Sequence, residues 1–167
     1  DQRLNEDIII AGDRADAVIS VSQGLCDRLA GHGVTSTVVP NIVDVELFDR
    51  PDRRHEGTIV VSVATLNPGK GMIELAQAVE HLPEVQLRII GDGPQRHQLE
   101  AIAAGNPRIV LLGPQSRDRI AEELAGADAF ALASHGETFG VACAEALAAG
   151  LPVLTTACGG PQEFIDD

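Results

Sequence analysis

From residue 57 onward the chain alternates between short aliphatic runs, glycine-rich turns and longer stretches with helical spacing. The runs are Thr58-Ile59-Val60-Val61-Ser62-Val63, Val85-Gln86-Leu87-Arg88-Ile89-Ile90, Arg108-Ile109-Val110-Leu111-Leu112, Ala129-Phe130-Ala131-Leu132 and Pro152-Val153-Leu154-Thr155. Near-continuous apolar runs of this length are the pattern of strands covered on both faces, as in a parallel sheet. The stretches between them predict helices over 71–82, 94–104, 117–126 and 139–149. Pro94 suits a first helical turn, and Gly105 and Gly150 suit helix ends. Alternation of strand and helix in this way predicts a doubly wound α/β domain.

Residues 1–56 carry a different pattern. Ala17 to Val21 predicts a strand, Gln23 to His32 a helix and Thr37 to Pro40 a second short strand. A charged stretch follows from Asp44 to Glu56, including Arg50-Pro51-Asp52-Arg53-Arg54-His55-Glu56. A strand–helix–strand piece is too small to bury a core, so residues 1–44 are expected to be the end of a larger domain. Residues 45–56 then form a linker, and 57–167 a second domain.

Composition narrows the function. The length of 167 residues suits about one compact domain, and 44% apolar residues suit a globular core. No apolar run approaches the ~20 residues of a membrane span. No basic segment leads into an apolar core, so no signal peptide is expected, although a chain beginning at Asp1 could have lost one. A net charge of −13 argues against nucleic acid or an anionic membrane as the main partner. Cys26, Cys143 and Cys158 are widely spaced, which fits reduced thiols in a cytoplasmic protein and offers no zinc site. With no Trp or Tyr and four Phe, a binder built on aromatic stacking is disfavoured.

Glycine turns fall where the predicted strands end: Asn67-Pro68-Gly69-Lys70-Gly71, Gly91-Asp92-Gly93-Pro94, Gly136-Glu137-Thr138-Phe139-Gly140 and Cys158-Gly159-Gly160-Pro161. Ligands of open parallel sheets bind at that edge, and glycine lets backbone N–H groups approach an anion. One turn holds the single lysine of a chain with eleven arginines. Lys70 is either a compact charge placed at a crowded anion site or a chance occurrence in an arginine-rich sequence. A dinucleotide fingerprint fails on the same residues. Gly91-Asp92-Gly93-Pro94-Gln95-Arg96 has Arg where the third glycine belongs, and no carboxylate ends the next strand.

Two carboxylates flank or interrupt the apolar stretch Phe139-Gly140-Val141-Ala142-Cys143-Ala144. Glu137 precedes it and Glu145 follows inside the same predicted helix. If the helix starts near Thr138, that residue caps it and the N–H groups of Phe139, Gly140 and Val141 face the ligand edge. Glu145 then either faces water or meets a partner such as the vicinal diol of a ribose, whose two hydroxyls one carboxylate can accept. A sugar linked to a nucleoside diphosphate would satisfy both acids and the phosphate loops. A glycosidase pair fits poorly with Glu145 inside a helix and away from Glu137.

The E-x7-E arrangement of Glu137 and Glu145, within ETFGVACAEALAAGLPVLTTACGGPQEFI, resembles glycosyltransferase family 4, the group 1 transferases of GT-B fold. The segments ADAVISVS, VVPNIVDVELF, NPGKG and RIIGDGP also resemble landmarks of that family, in its order, from about Ala15 to the end. The resemblance implies the Rossmann-like carboxy-terminal domain of a GT-B enzyme, preceded by the tail of its amino-terminal domain. It implies retaining transfer of a sugar from a nucleotide donor to a carbohydrate or lipid-linked acceptor, without an obligatory metal or other cofactor. By position, Glu137 would touch the donor sugar, Glu145 would hold the ribose and Lys70 would neutralise the diphosphate, with the amides of Phe139, Gly140 and Val141 nearby. Gly91 and Gly93 would border the pocket, Gly113 and Gln115 would lie near the base, and Gly159 and Gly160 would line the far side.

The chain departs from the family in having Ala64-Thr65 where Gly-Arg is usual, so Thr65 replaces a cation on the diphosphate. Against the family pattern, most of the amino-terminal half is absent, and the domain over 57–167 is incomplete at its end because it lacks the helix that usually follows Asp167. The fragment alone is therefore expected to be inactive, and any membrane contact is expected only through the missing half of a cytoplasmic, peripheral protein. Two other functions stay open: a GT-B nucleotide-sugar epimerase, and a degenerate, non-catalytic nucleotide-sugar-binding subunit.

Overall fold

The computed structural model describes residues 6–50 and 56–165. The contacts divide the chain into two compact units. In the smaller, the described residues are 6–42, 136–140 and 157–165. It contains α1 (Glu6–Arg14), β1 (Ile19–Ser20), α2 (Gln23–Ala30) and β2 (Thr37–Val38). β1 and β2 pair in parallel, Ile19 with Thr37 and Ser20 with Val38. Both strands are shorter than the sequence predicts, and α1 was not foreseen.

The amino terminus of α2 is satisfied twice. Ser22 caps it by accepting from the Leu25 amide, and Glu163 accepts from the amides of Gln23 at 2.8 Å and Gly24 at 2.7 Å. A carboxylate there also complements the helix dipole. Glu163 belongs to a 3-10 turn, Gly160–Glu163, so its acid has a structural task.

The larger unit comprises residues 43–135 and 141–156. It opens with the short helix α3 (Val45–Phe48), whose Asp44 cap accepts from the Leu47 amide at 3.2 Å. The expected linker over 45–56 thus contains a helix, and its residues 51–55 lie outside those described. There follow β3 (Thr58–Val63), α4 (Met72–Glu80), β4 (Val85–Ile90), α5 (Arg96–Gly105) and β5 (Ile109–Gly113). The unit ends with α6 (Arg117–Ala125), β6 (Ala129–Leu132), α7 (Val141–Ala148) and β7 (Val153–Thr155). The strands form one parallel sheet in the order β5-β4-β3-β6-β7. This is the doubly wound α/β arrangement that the aliphatic runs predict.

Val61, Leu87 and Phe130 are fully buried in this sheet, and Leu99 and Leu124 are fully buried on the helices. Each such side chain contributes about 1.5–3 kcal/mol by leaving water. The polar residues of β4 are accommodated by pairing: Arg88 donates to the buried Glu123 of α6 at 3.0 Å, and Arg119 bonds the same carboxylate at 2.5 Å. Among the described residues, no helix is long and apolar enough to cross a membrane.

Gly91, just past β4, has φ +141°, and a Cβ there would run into the carbonyl oxygen of Ala64. Gly91→Ala is therefore expected to destabilise the chain by at least about 1–3 kcal/mol. Gly105→Ala, at the end of α5 with open space around it, should be neutral or stabilising by up to about 1 kcal/mol. Urea unfolding of the two variants checks the contrast.

Candidate functional site

In the larger unit the chain runs from β3 through β4 to β5 on one side, then returns to place β6 against the other side of β3. That reversal creates a crevice at the carboxyl ends of β3 and β6, the place where open α/β sheets bind ligands. The loop leaving β3 contains a 3-10 turn, Pro68–Lys70, closed by Gly71 at φ +62°. It is seated on the chain leaving β6, where the His135 amide donates to the Gly69 carbonyl at 2.9 Å. Its other side is tied to the loop after β4: the Leu66 amide donates to Asp92 O and the Gln95 amide to Leu66 O, both at 2.9 Å. The Gly91 amide in turn donates to Gly113 O at 3.0 Å. Thr65, Lys70, Gly91, Gly93 and Gly113 therefore stand on one edge laced by backbone hydrogen bonds.

Two other polar groups stand at the same edge. Gln115 folds back and donates to Leu112 O at 2.6 Å, which leaves its side-chain oxygen to act as an acceptor. Arg96 lies over Gly113, but its guanidinium is held by Glu100 at 2.9 Å and Asp92 at 3.5 Å. Its charge is thus already balanced by two carboxylates, and it is not a simple substitute for the cation missing at Thr65.

Glu145 lies in the second turn of α7 and is buried. Its Oε1 accepts from Arg117 Nη2 at 3.3 Å, across from the first residue of α6. Arg117 sits over the ring of Phe48, 5.7 Å from the centroid, and Phe48 is itself wholly buried in α3. Neither Arg117 nor Phe48 was singled out by the sequence. Burial pushes the Glu145 carboxyl above its ordinary pKa, and Arg117 pulls in the opposite direction without cancelling the rise. The solvated reading of Glu145 does not hold.

This acid therefore costs stability at neutral pH. Between its ordinary pKa and the raised one, the folded state binds more protons than the unfolded state, so stability falls as pH rises through that window and is flat above it. Glu145→Gln is expected to remove that decline and leave the chain at least as stable at pH 7. Chemical denaturation of both forms from pH 4 to 8 measures it.

The remaining predicted residues belong to the smaller unit, apart from Val141. Glu137 is held through its backbone: its amide donates to Cys158 O at 2.7 Å and its carbonyl accepts from Gly160 N at 3.0 Å. Phe139 packs against Phe164 with ring centroids 5.1 Å apart. A Cβ on Gly160 would meet the Phe139 backbone at 2.5 Å, so the 136–140 and 159–164 segments touch main chain to main chain. The expectation that Thr138 starts the helix is corrected. Gly140 has φ +91°, which a right-handed helix cannot contain, and α7 begins at Val141. The amides of Phe139, Gly140 and Val141 nevertheless donate to no group among the described residues.

A cavity of about 360 Å³ lies at the opposite, amino-terminal edge of the sheet, between Arg50, Asp128, Gly150 and Pro152. Among the described residues, no group of three or more His, Cys, Asp or Glu is placed to hold a metal ion.

Residues 44–167 match the family of glycosyl transferases group 1. A D-inositol 3-phosphate glycosyltransferase of Mycobacteroides abscessus is 31% identical over 96% of this chain and 38% of its own length. A lipopolysaccharide core biosynthesis glycosyltransferase of Rhizobium meliloti is 30% identical over 91% of this chain and 47% of its own. The chain thus spans less than half the length of these relatives. The structure is similar to that of HepE from Anabaena in complex with UDP-glucose, with a TM-score of 0.85 and 23% identity over 97% of this chain and 50% of that one. That likeness shows the fold.

Proposed function

This chain belongs to the group 1 glycosyl transferases, and from that premise we propose that it is the donor-binding half of a retaining, metal-independent transferase acting on a nucleoside diphosphate sugar. The observation that carries the reading is the pair of features on one sheet edge of the larger unit. Lys70 stands in a turn fixed by hydrogen bonds at the switch point, and Glu145 is buried against Arg117. Lys70 balances the charge that develops on the diphosphate as the sugar–phosphate bond breaks. Glu145 accepts the ribose hydroxyls. Gly91, Gly93 and Gly113 let the backbone come close to the ligand, and Gln115 offers an acceptor to the base. The resemblance to the group 1 transferases, and not the placement of the two units, assigns the phosphate oxygens to the amides of Phe139, Gly140 and Val141 and the donor sugar to Glu137, with Gly159 and Gly160 in the same segment.

The acceptor is a glycan, lipid or small molecule, bound by protein outside this chain, and the complete enzyme works in the cytoplasm, peripheral to a membrane if its acceptor is lipid-linked. Calorimetric titration with UDP, GDP, ADP and CDP, and then with the sugar conjugates of the one that binds, tests the reading. One nucleotide should bind with one-to-one stoichiometry. Absence of binding by all four at millimolar concentration, in a folded sample, would overturn it.

A further inference from the structure

We propose that Arg117 is a positioning residue for the nucleotide's ribose: braced on Phe48, it holds Glu145 as an oriented carboxylate whose remaining lone pairs accept the two ribose hydroxyls. The inference rests on the assignment of Glu145 to the ribose.

The atoms can be counted. An ionised carboxylate has about four acceptor sites. Arg117 Nη2 takes one of them on Oε1, and among the described residues Oε2 accepts no hydrogen bond. Two hydroxyl donors therefore find free acceptor sites, and they bond most strongly while Glu145 is charged, because hydrogen bonds to an ionised acceptor are shorter and stronger. A protonated acid would spend one site on its own proton and offer the hydroxyls only weaker, neutral acceptors.

Glu145 is 8% exposed, and a buried carboxylate tends to take up a proton unless a cation faces it. Among the described residues, that cation is Arg117. Its own side chain is 56% exposed and long, so an unbraced arginine would sample many rotamers. The ring of Phe48 beneath it restrains it through a cation–π contact. Phe48 is in turn fixed because α3 packs on both α6 and α7. One small helix thus registers the arginine of α6 against the glutamate of α7.

The position of Arg117 is informative in a second way. Ser116 caps α6, accepting from the Arg119 amide at 3.3 Å, so Arg117 is the first helical residue. A cation at a helix amino terminus opposes the dipole, and carboxylates are preferred there. The neighbouring Asp118 supplies the carboxylate that the first turn prefers, and it also bonds Arg50 at 3.0 Å. The arginine is placed against the interest of its own helix, and what it gains is the contact with Glu145.

The test uses the full chain with UDP, GDP, ADP and CDP, their 2′-deoxy counterparts, and the variants Arg117→Ala, Arg117→Lys and Phe48→Leu. Carboxyl NMR follows the titration of Glu145 without ligand. For whichever nucleotide binds, Arg117→Ala should lower ribonucleotide affinity about tenfold or more and deoxynucleotide affinity by clearly less, because only the 3′-hydroxyl contact remains to be lost there. It should also move the Glu145 titration upward, so that ribonucleotide binding fails at a higher pH than in the parent. Arg117→Lys should restore part of both effects, and Phe48→Leu should show a smaller loss of the same kind. Equal loss for both sugars, or an unmoved Glu145 titration, overturns the proposal while leaving the nucleotide reading intact. Failure of the parent chain to bind any of the nucleotides overturns that reading, and this proposal with it.

Discussion

Lys70→Ala is expected to weaken nucleoside diphosphate binding by about 10- to 100-fold while changing binding of the free nucleoside little. The magnitude follows from the loss of a charge-assisted contact to phosphate, worth about 1.5–3 kcal/mol, at 1.4 kcal/mol per tenfold change. The selectivity follows from placement. Lys70 ends a turn anchored on one side by His135 N to Gly69 O and on the other by Leu66 N to Asp92 O, so its stem starts from a fixed point at the switch crevice. An ammonium on a preset base loses less freedom on meeting an anion than one on a mobile loop. Lys70→Arg should not restore the parent affinity, because a planar fork needs more room than a point charge between Gly69 and Gly71. Calorimetry with diphosphate and nucleoside on the same preparations reads the difference. Equal weakening of both would mean that Lys70 supports the loop and does not serve the phosphate.

Glu145→Ala is expected to have an effect of similar or greater size in the other part of the ligand. Two charge-assisted hydrogen bonds disappear together, so nucleotide affinity should fall about 30- to 1,000-fold, and the preference for ribose over 2′-deoxyribose should vanish. Glu163→Ala supplies the comparison. Its carboxylate bonds the amides of Gln23 and Gly24, so its loss should lower the melting temperature and leave the ribose preference intact. Glu145 shows the opposite signature, since removing a buried acid with a raised pKa relieves desolvation while it destroys recognition. A residue that costs stability and is needed for binding is what a functional site is expected to contain.

The sheet was legible because parallel strands buried on both faces must be apolar for several residues in succession, and β3 and β6 say so directly. The glycine turns were legible because only glycine tolerates the approach that Gly91 makes to Ala64. Lys70 could be picked out by rarity alone. What stayed hidden was tertiary. α3 sits in a charged stretch that has the composition of a linker, and its helix depends on the Asp44 cap and on packing against α6 and α7. Arg117 is one arginine among eleven, and its partner Glu145 lies 28 residues away, beyond any local pattern. The start of α7 was placed too early because Thr138 is a good cap by type, whereas the conformation of Gly140 decides the boundary.

The most direct measurement of the central claim is a backbone-amide NMR footprint of the tightest-binding nucleoside diphosphate on the labelled chain. The account predicts perturbations concentrated at Thr65, Lys70, Gly91, Gly93, Gly113, Arg117 and Glu145, around the carboxyl edge of the sheet. A footprint centred on Asp128, Gly150 and Leu151, at the cavity on the amino-terminal edge, would contradict it.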